Sequence, residues 1–278
     1  RRIALSASAE HENYQRRAVI SSPARIGRLR VPLGLGTTAS IDWQNAIRVR
    51  MIYGGLASVS SLAMLNGANR IAIQSQSGAW EILGFCRAEE TSADMWTLTG
   101  LLRGLGGTED AMAAGALLDA PLVVLDASVK PLGLEPDEAG LALNWIAESF
   151  GQGGGRAGPL VFAGGERAVT PLAPVHLAAR RTADGDIALS WIRRGRIDSD
   201  GWGGDDIPLD EDVEAYRLQI VDGDSVVRTA HLTSPGFLYS AALQVADFGG
   251  PLSAVAFKVR QKGSRVALGI AAAATISL

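Results

Sequence analysis

Short runs that alternate polar with apolar residues, each closed by a glycine-rich turn, govern what this chain can fold into. Arg70-Ile71-Ala72-Ile73-Gln74 alternates, and Gln76-Ser77-Gly78 turns the chain. Ala79 to Phe85 and Asp94 to Thr99 repeat the pattern. Period-two patterning with β-branched and aromatic side chains puts alternate residues on opposite faces, and predicts a meander of antiparallel strands. Pro121 to Asp126 and Leu141 to Phe150 read as further strands. Helical signals are short. Ser61 to Gly67 reads as one capped turn of helix, and Thr108 is placed to cap another, with Glu109 and Asp110 at the positive end of its dipole. The repeated longer helices of a doubly wound enzyme are missing from the pattern.

Glycine and proline also divide the chain. Gly151 to Gly155 is a link or exposed loop, and Gly164-Gly165 with Pro171 and Pro174 marks a boundary near residue 170. Beyond it lie seven short strand segments: Val175 to Arg180, Ile187 to Ile192, Tyr216 to Val221, Val226 to Ala230, Phe237 to Ala241, Val255 to Arg260 and Ala271 to Ile276. That density predicts a β-sandwich, with Trp191 and Leu189 on one face as core anchors. The expected fold is mainly β. Residues 1–30 are expected to end a preceding domain, 31–168 to form an antiparallel β-rich domain, and 169–278 a fibronectin type III-like sandwich. A length of 278 residues accommodates two domains of ~100–200 residues.

Charge is nearly balanced at −3 but unevenly spread. Nine arginines between Arg1 and Arg50 face only Glu10, Glu12 and Asp42, whereas Asp198 to Glu214 carries eight acids and no base. Such polarity can orient neighbouring subunits. The basic end has Tyr14 and Trp43 as its only aromatics and no recognition-helix pattern, so nucleic-acid binding is not expected. Cys86 is the only cysteine, which excludes an intrachain disulfide and a cysteine metal cluster. The Val266 to Leu278 stretch is shorter than the ~20 apolar residues a helical span needs. The chain starts at Arg1 without an initiator Met, and is expected to be a piece of a longer protein.

Sites of chemistry are sought in vain. Gly34-Leu35-Gly36-Thr37-Thr38-Ala39 has the outline of a dinucleotide fingerprint, but Pro32 interrupts the approach and the acid expected about twenty residues later is missing. It reads as a loop. Asp198, Asp200, Gly203, Asp205 and Asp206 echo the opening of a calcium loop, yet Trp202 and Leu209 occupy ligand positions, which favours a solvated acidic loop. His11, His176 and His231 stand in no catalytic spacing, and no nucleophile elbow, paired-His zinc motif or phosphate loop occurs. No catalytic, cofactor-binding or metal residue is expected, and no cofactor.

Some strings are more specific than composition. Leu98 to Glu109 (LTGLLRGLGGTE) resembles the GLLRG…GTE signature of gene transfer agent and phage tail hub proteins, the host-specificity or megatron-type baseplate family. Gly67-Ala68-Asn69 and Gly78-Ala79-Trp80-Glu81 resemble its GAN…GEWE passage, and Pro171 to Leu177 and Ile187 to Arg194 resemble the start of its C-terminal region. Locally, Leu-Leu-Arg-Gly after a strand, followed by Gly-Gly and a capped Thr-Glu, reads as a strand ending in a tight turn into a short helix, with Gly106 and Gly107 supplying the permissive backbone. The resemblance implies a non-enzymatic structural component of a tail tip or baseplate, trimeric around the tail axis and packed against other tail subunits. It further implies a role in host attachment to a cell-envelope receptor and in delivery of DNA that passes through the tail without sequence-specific binding. Assembly in a bacterial cytoplasm and release in a virion-like particle go with it. The family's upstream part resembles a TIM-barrel glycosidase; these residues do not match it, so hydrolase activity is not expected here. The rival reading is a carbohydrate-binding accessory module of a secreted glycoside hydrolase. It requires a surface row of aromatics, whereas Trp43, Trp80, Trp96, Trp145, Trp191 and Trp202 mostly fall inside strand patterns, with Trp202 the clear exception.

Overall fold

The computed structural model describes residues 2–151, 154–197 and 207–278. The chain divides between Gly164 and Gly165 into two units, and each has its own apolar core. The first unit starts with a hairpin, β1 (Ile3–Ser8) and β2 (Gln15–Ile20). After it come β3 (Ile26–Leu29), β4 (Ile47–Tyr53), the short helix α1 (Ser61–Leu65), and β5 (Arg70–Gln74). The long strands β6 (Trp80–Ser92) and β7 (Met95–Leu105) follow, then α2 (Glu109–Ala114) and β8 (Pro121–Val124).

Six of these strands close into a barrel in the order β3-β4-β7-β6-β5-β8, and every neighbouring pair is antiparallel. The cause is visible in β4, where Ile47, Val49 and Met51 point inward and Arg48 and Arg50 outward. Inward residues from all six strands, among them Leu29, Ile71, Leu83 and Leu122, make one core. Fully burying a side chain of this size stabilises by ~1.5–3 kcal/mol, and closure also removes the exposed edges that an open sheet would leave. The alternation read from the sequence supplied the β5–β6–β7 meander; pairing of Ile26 with Val123, which closes the ring, is a long-range contact.

β9 (Ala142–Ser149) and β10 (Arg156–Ala163) complete the first unit. They share a second sheet with the N-terminal hairpin, in the order β10-β9-β1-β2. Residues 1–30, expected as the end of a preceding domain, thus supply two strands of this sheet and the first strand of the barrel. β1 pairs along its whole length with β9, from Ile3 opposite Ser149 to Ser8 opposite Asn144. The edge strand β10 exposes all eight of its residues, including Leu160, Val161 and Phe162.

The second unit begins with α3 (Glu166–Val169), β11 (Val175–Arg181) and β12 (Ile187–Ile192). It continues through β13 (Tyr216–Asp222), β14 (Ser225–Leu232), β15 (Gly236–Tyr239), α4 (Ala241–Phe248), β16 (Ala254–Gln261) and β17 (Ala272–Ser277). A three-stranded sheet, β11-β12-β15, is matched by a four-stranded one, β14-β13-β16-β17. This is a fibronectin type III-like sandwich. Trp191 is in its core, edge-on to Tyr216 with ring centroids 5.3 Å apart.

One element departs from expectation. The segment Phe237 to Ala241 stops being a strand at Tyr239, because the Ser240 hydroxyl accepts a hydrogen bond from the Leu243 N–H and starts α4. Gly249, at φ +78°, ends that helix. Asp247 on α4 accepts from Arg228 Nε at 2.6 Å, Arg228 Nη2 at 2.8 Å and the Tyr239 hydroxyl at 2.8 Å, so it ties the helix to β14 and β15.

The Arg228 guanidinium holds the Asp247 carboxyl below the usual carboxylate range. A depressed folded-state pKa means the contribution is complete above the unfolded value of ~3.9 and is lost as pH falls through the folded value. The urea midpoint of the second unit is therefore expected to fall as pH drops below about 4. Asp247→Asn should start lower at neutral pH and lose less on acidification; an equal acid loss in both proteins would remove Asp247 from the account.

Candidate functional site

Two charged residues from separate strings meet inside the barrel. Glu81 lies on the same side of β6 as Leu83 and Phe85, and Arg103 on the same side of β7 as Leu101. Arg103 Nε donates to Glu81 Oε1 at 2.5 Å and Nη2 to Oε2 at 2.8 Å, with both side chains under 5% exposed. Nη2 also donates to the Gly34 carbonyl at 3.0 Å, and the Gly104 N–H donates to Glu81 Oε1 at 3.3 Å. A planar guanidinium matches a carboxylate in this two-bond fork, which a lysine cannot reproduce. The pair sits where β7 bulges: Arg103 and Gly104 together oppose Leu83, with Gly104 at φ +66°.

This arrangement explains the Gly34 to Ala39 run. A Cβ on Gly36 would lie 2.8 Å from Arg103 Nη1, so the glycine is where the backbone closes over the guanidinium. The GAWE and GLLRG strings are thereby joined through their charged members. Sequence reasoning missed the pair, although a lone Glu and a lone Arg at inward positions of neighbouring strands were the available signal.

The same region corrects two expectations. The strand does not stop at Thr99, because β7 continues through Leu-Leu-Arg-Gly to Leu105; the tight turn then falls where it was expected, at Gly106 and Gly107, both at positive φ. Thr108 does not cap α2 with its side chain. Its hydroxyl accepts from the Ile82 N–H at 3.0 Å and donates to the Leu105 carbonyl at 2.8 Å, bracing the β6–β7 end instead.

Within β7, Leu98 and Leu101 both belong to the core although they are three apart. The inward side switches around Gly100, at φ +67°, where a Cβ would lie 2.6 Å from the Trp43 ring and 2.9 Å from Cys86 Cβ. Gly100→Ala is expected to destabilise the first unit by ~1–3 kcal/mol, from left-handed strain compounded by that clash. Thermal unfolding of the variant checks this; an unchanged midpoint would refute it.

The remaining sequence-level candidates do not assemble into a reactive centre. His11 lies between β1 and β2, His176 on β11 and His231 on β14. The acidic run from Asp198 to Asp206, with Trp202, lies outside the described residues. Among the described residues no group of three or more His, Cys, Asp or Glu side chains is placed to hold a metal. Cys86 is buried beside Ser61, with Sγ to Oγ at 3.7 Å. Strand patterning also misplaced two tryptophans: Trp43 is 50% and Trp80 39% exposed, whereas Trp145 and Trp191 are buried. Trp43 is not a bare platform, since the Arg87 guanidinium lies over its ring at 5.6 Å.

What the barrel does present is a basic outer face on β3 and β4. Arg28 and Arg50 are register partners, and the Arg30 N–H donates to the Arg48 carbonyl at 2.8 Å one step along. All four side chains are on exposed residues. Arg30 pairs with Asp119 at 2.6 Å, and Arg28 donates to the Asp119 carbonyl at 2.8 Å. A cleft of about 300 Å³ opens between Arg28, Arg30, Arg50, Ile52 and Asp94.

No curated protein matches the chain. Among solved structures, the extracellular domains d3–d4 of rat CD45 are 13% identical with a TM-score of 0.30, covering 55% of this chain and 72% of that one. Domains A168–A170 of titin are 10% identical with a TM-score of 0.28, covering 99% of this chain and 74% of that one. In the first unit, residues 24–123 match the family model described as Rcc01698-like, C-terminal. That stretch runs from just before β3 almost to the end of β8, so the part of this chain similar to the Rcc01698-like C-terminal family is the six-stranded barrel with its buried Arg103–Glu81 pair.

Proposed function

We propose that this chain is a structural part of the tail tip of a phage-like particle such as a gene transfer agent, packing into the distal hub and contributing to host attachment and DNA delivery. The observation that carries the reading is the location of the strings that resemble those of tail hub proteins. Their charged residues, Glu81 and Arg103, form the buried fork of a barrel that is similar, over nearly all its length, to the Rcc01698-like C-terminal family. These strings therefore encode a rigid scaffold, and what such a scaffold offers a partner is its surface. Subunits in permanent assemblies commonly bury more than ~2,000 Å². The exposed apolar strand β10 and the basic face of β3–β4 are surfaces of the kind such packing uses. In this reading the chain is one of several copies around the tail axis, without catalysis or cofactor of its own.

Electron microscopy of purified particles carrying an epitope on this chain tests the proposal. Label at one end of the tail, and tails lacking a tip when the gene is deleted, are the expected results. A chain that never co-purifies with particles would sink it. Binding to cell-wall glycans without association with tail proteins would favour the accessory-module reading.

A further inference from the structure

The outer face of β3–β4 sets like charge against like. Arg28 stands opposite Arg50, and Arg30 lies beside Arg48. Directly opposed like charges repel on a sheet. Asp119 offsets the repulsion at Arg30. Arg48 and Arg50 lack such a direct partner: neither guanidinium has a hydrogen bond or ion pair among the described residues. The acids nearby are Asp94, in the cleft with Arg50, Glu90, whose carboxylate accepts from the Asp94 N–H at 3.1 Å, and Glu89, which lies beyond Thr97 in the row of Arg48. None of the three pairs with Arg48 or Arg50, so both forks stay open to an outside carboxylate.

We propose that this face docks an acidic protein segment, a run of Asp and Glu on a partner chain, with the Arg48 and Arg50 forks taking its carboxylates. Charge complementarity selects an anion, and the surroundings select protein over nucleic acid. Ile52, on the same side of β4 as Arg48 and Arg50, is 61% exposed and lines the cleft with Arg28, Arg30 and Arg50. A phosphate backbone gains nothing from such an apolar neighbour, whereas protein interfaces combine apolar contact with enriched Arg. The inference needs only this face and is separate from the tail-tip reading, which turns on where the chain sits in a particle.

The test uses the full chain and a fluorescent deca-glutamate peptide, followed by anisotropy at several salt concentrations. The peptide should bind and weaken with salt, as exposed charge pairs do. Arg48→Glu with Arg50→Glu should weaken binding by about tenfold or more, and the double Gln variant should also weaken it while melting like the parent. Arg180→Glu, at an exposed position of β11 in the second unit, should change nothing. Equal binding by the reversed and parent proteins would overturn the proposal. So would tighter binding of duplex DNA than of the peptide, or self-association in sedimentation that the double reversal abolishes.

Discussion

Glu81→Ala is expected to destabilise the first unit by ~3–5 kcal/mol, because it leaves the Arg103 guanidinium buried with no carboxylate. Arg103 is 3% exposed, so water cannot replace the lost partner without opening the barrel end. The Gly104 N–H loses its acceptor as well, while the Gly34 carbonyl keeps its donor. The companion Arg103→Met should cost a similar amount by stranding Glu81 in place of Arg103. Replacing both together, Glu81→Leu with Arg103→Met, should cost much less than the two single effects added, since removing a buried pair whole also removes its desolvation penalty. Cys86 gives the readout. It is the only cysteine and is buried in the barrel unit, so its reaction with a thiol reagent across a denaturant series follows that unit alone. Additive single costs in the double variant would mean that the two residues act independently, and the account of the fork would fail.

Trp191→Ala should strike the other unit, at ~3–5 kcal/mol. Trp191 is 3% exposed and packs edge-on against Tyr216, which is fully buried and donates its hydroxyl to Glu214 at 2.6 Å. Removing the indole opens a cavity between the two sheets, bounded by Leu189 on its own strand and by Tyr216 across the gap. Trp191→Phe keeps an aromatic ring in the site and should lose clearly less. Calorimetry should show the lower-melting transition of Trp191→Ala without any change in Cys86 accessibility, because each core belongs to one unit. Simultaneous loss of both transitions would show that the units do not unfold separately.

Much of the strand content could be read directly. Arg70 to Gln74 and Ile187 to Ile192 coincide with β5 and β12, because each puts apolar residues on one face and so reports its own burial. The helix α4 was missed because Ser240 follows a strand-like run and the eight residues after it are mostly apolar, a composition compatible with either state. Exposure of Trp43 and Trp80 was misread for a related reason. Patterning assigns a residue to one of two faces, but whether that face meets a core depends on what the rest of the chain lays over it.

The sequence by itself determined that this is a mainly antiparallel β protein, that glycine and proline break it near residue 170, and that Trp191 anchors a sandwich. Those are local matters of period, turn chemistry and side-chain size. Only the tertiary structure decided that β3 meets β8 to close a barrel, that the N-terminal hairpin joins β9, and that Glu81, Arg103 and Gly36 occupy one place. It likewise set four arginines side by side on one outer face. Contacts of this kind are chosen by which distant faces can be buried together, and the sequence spacing of their members records nothing of that choice.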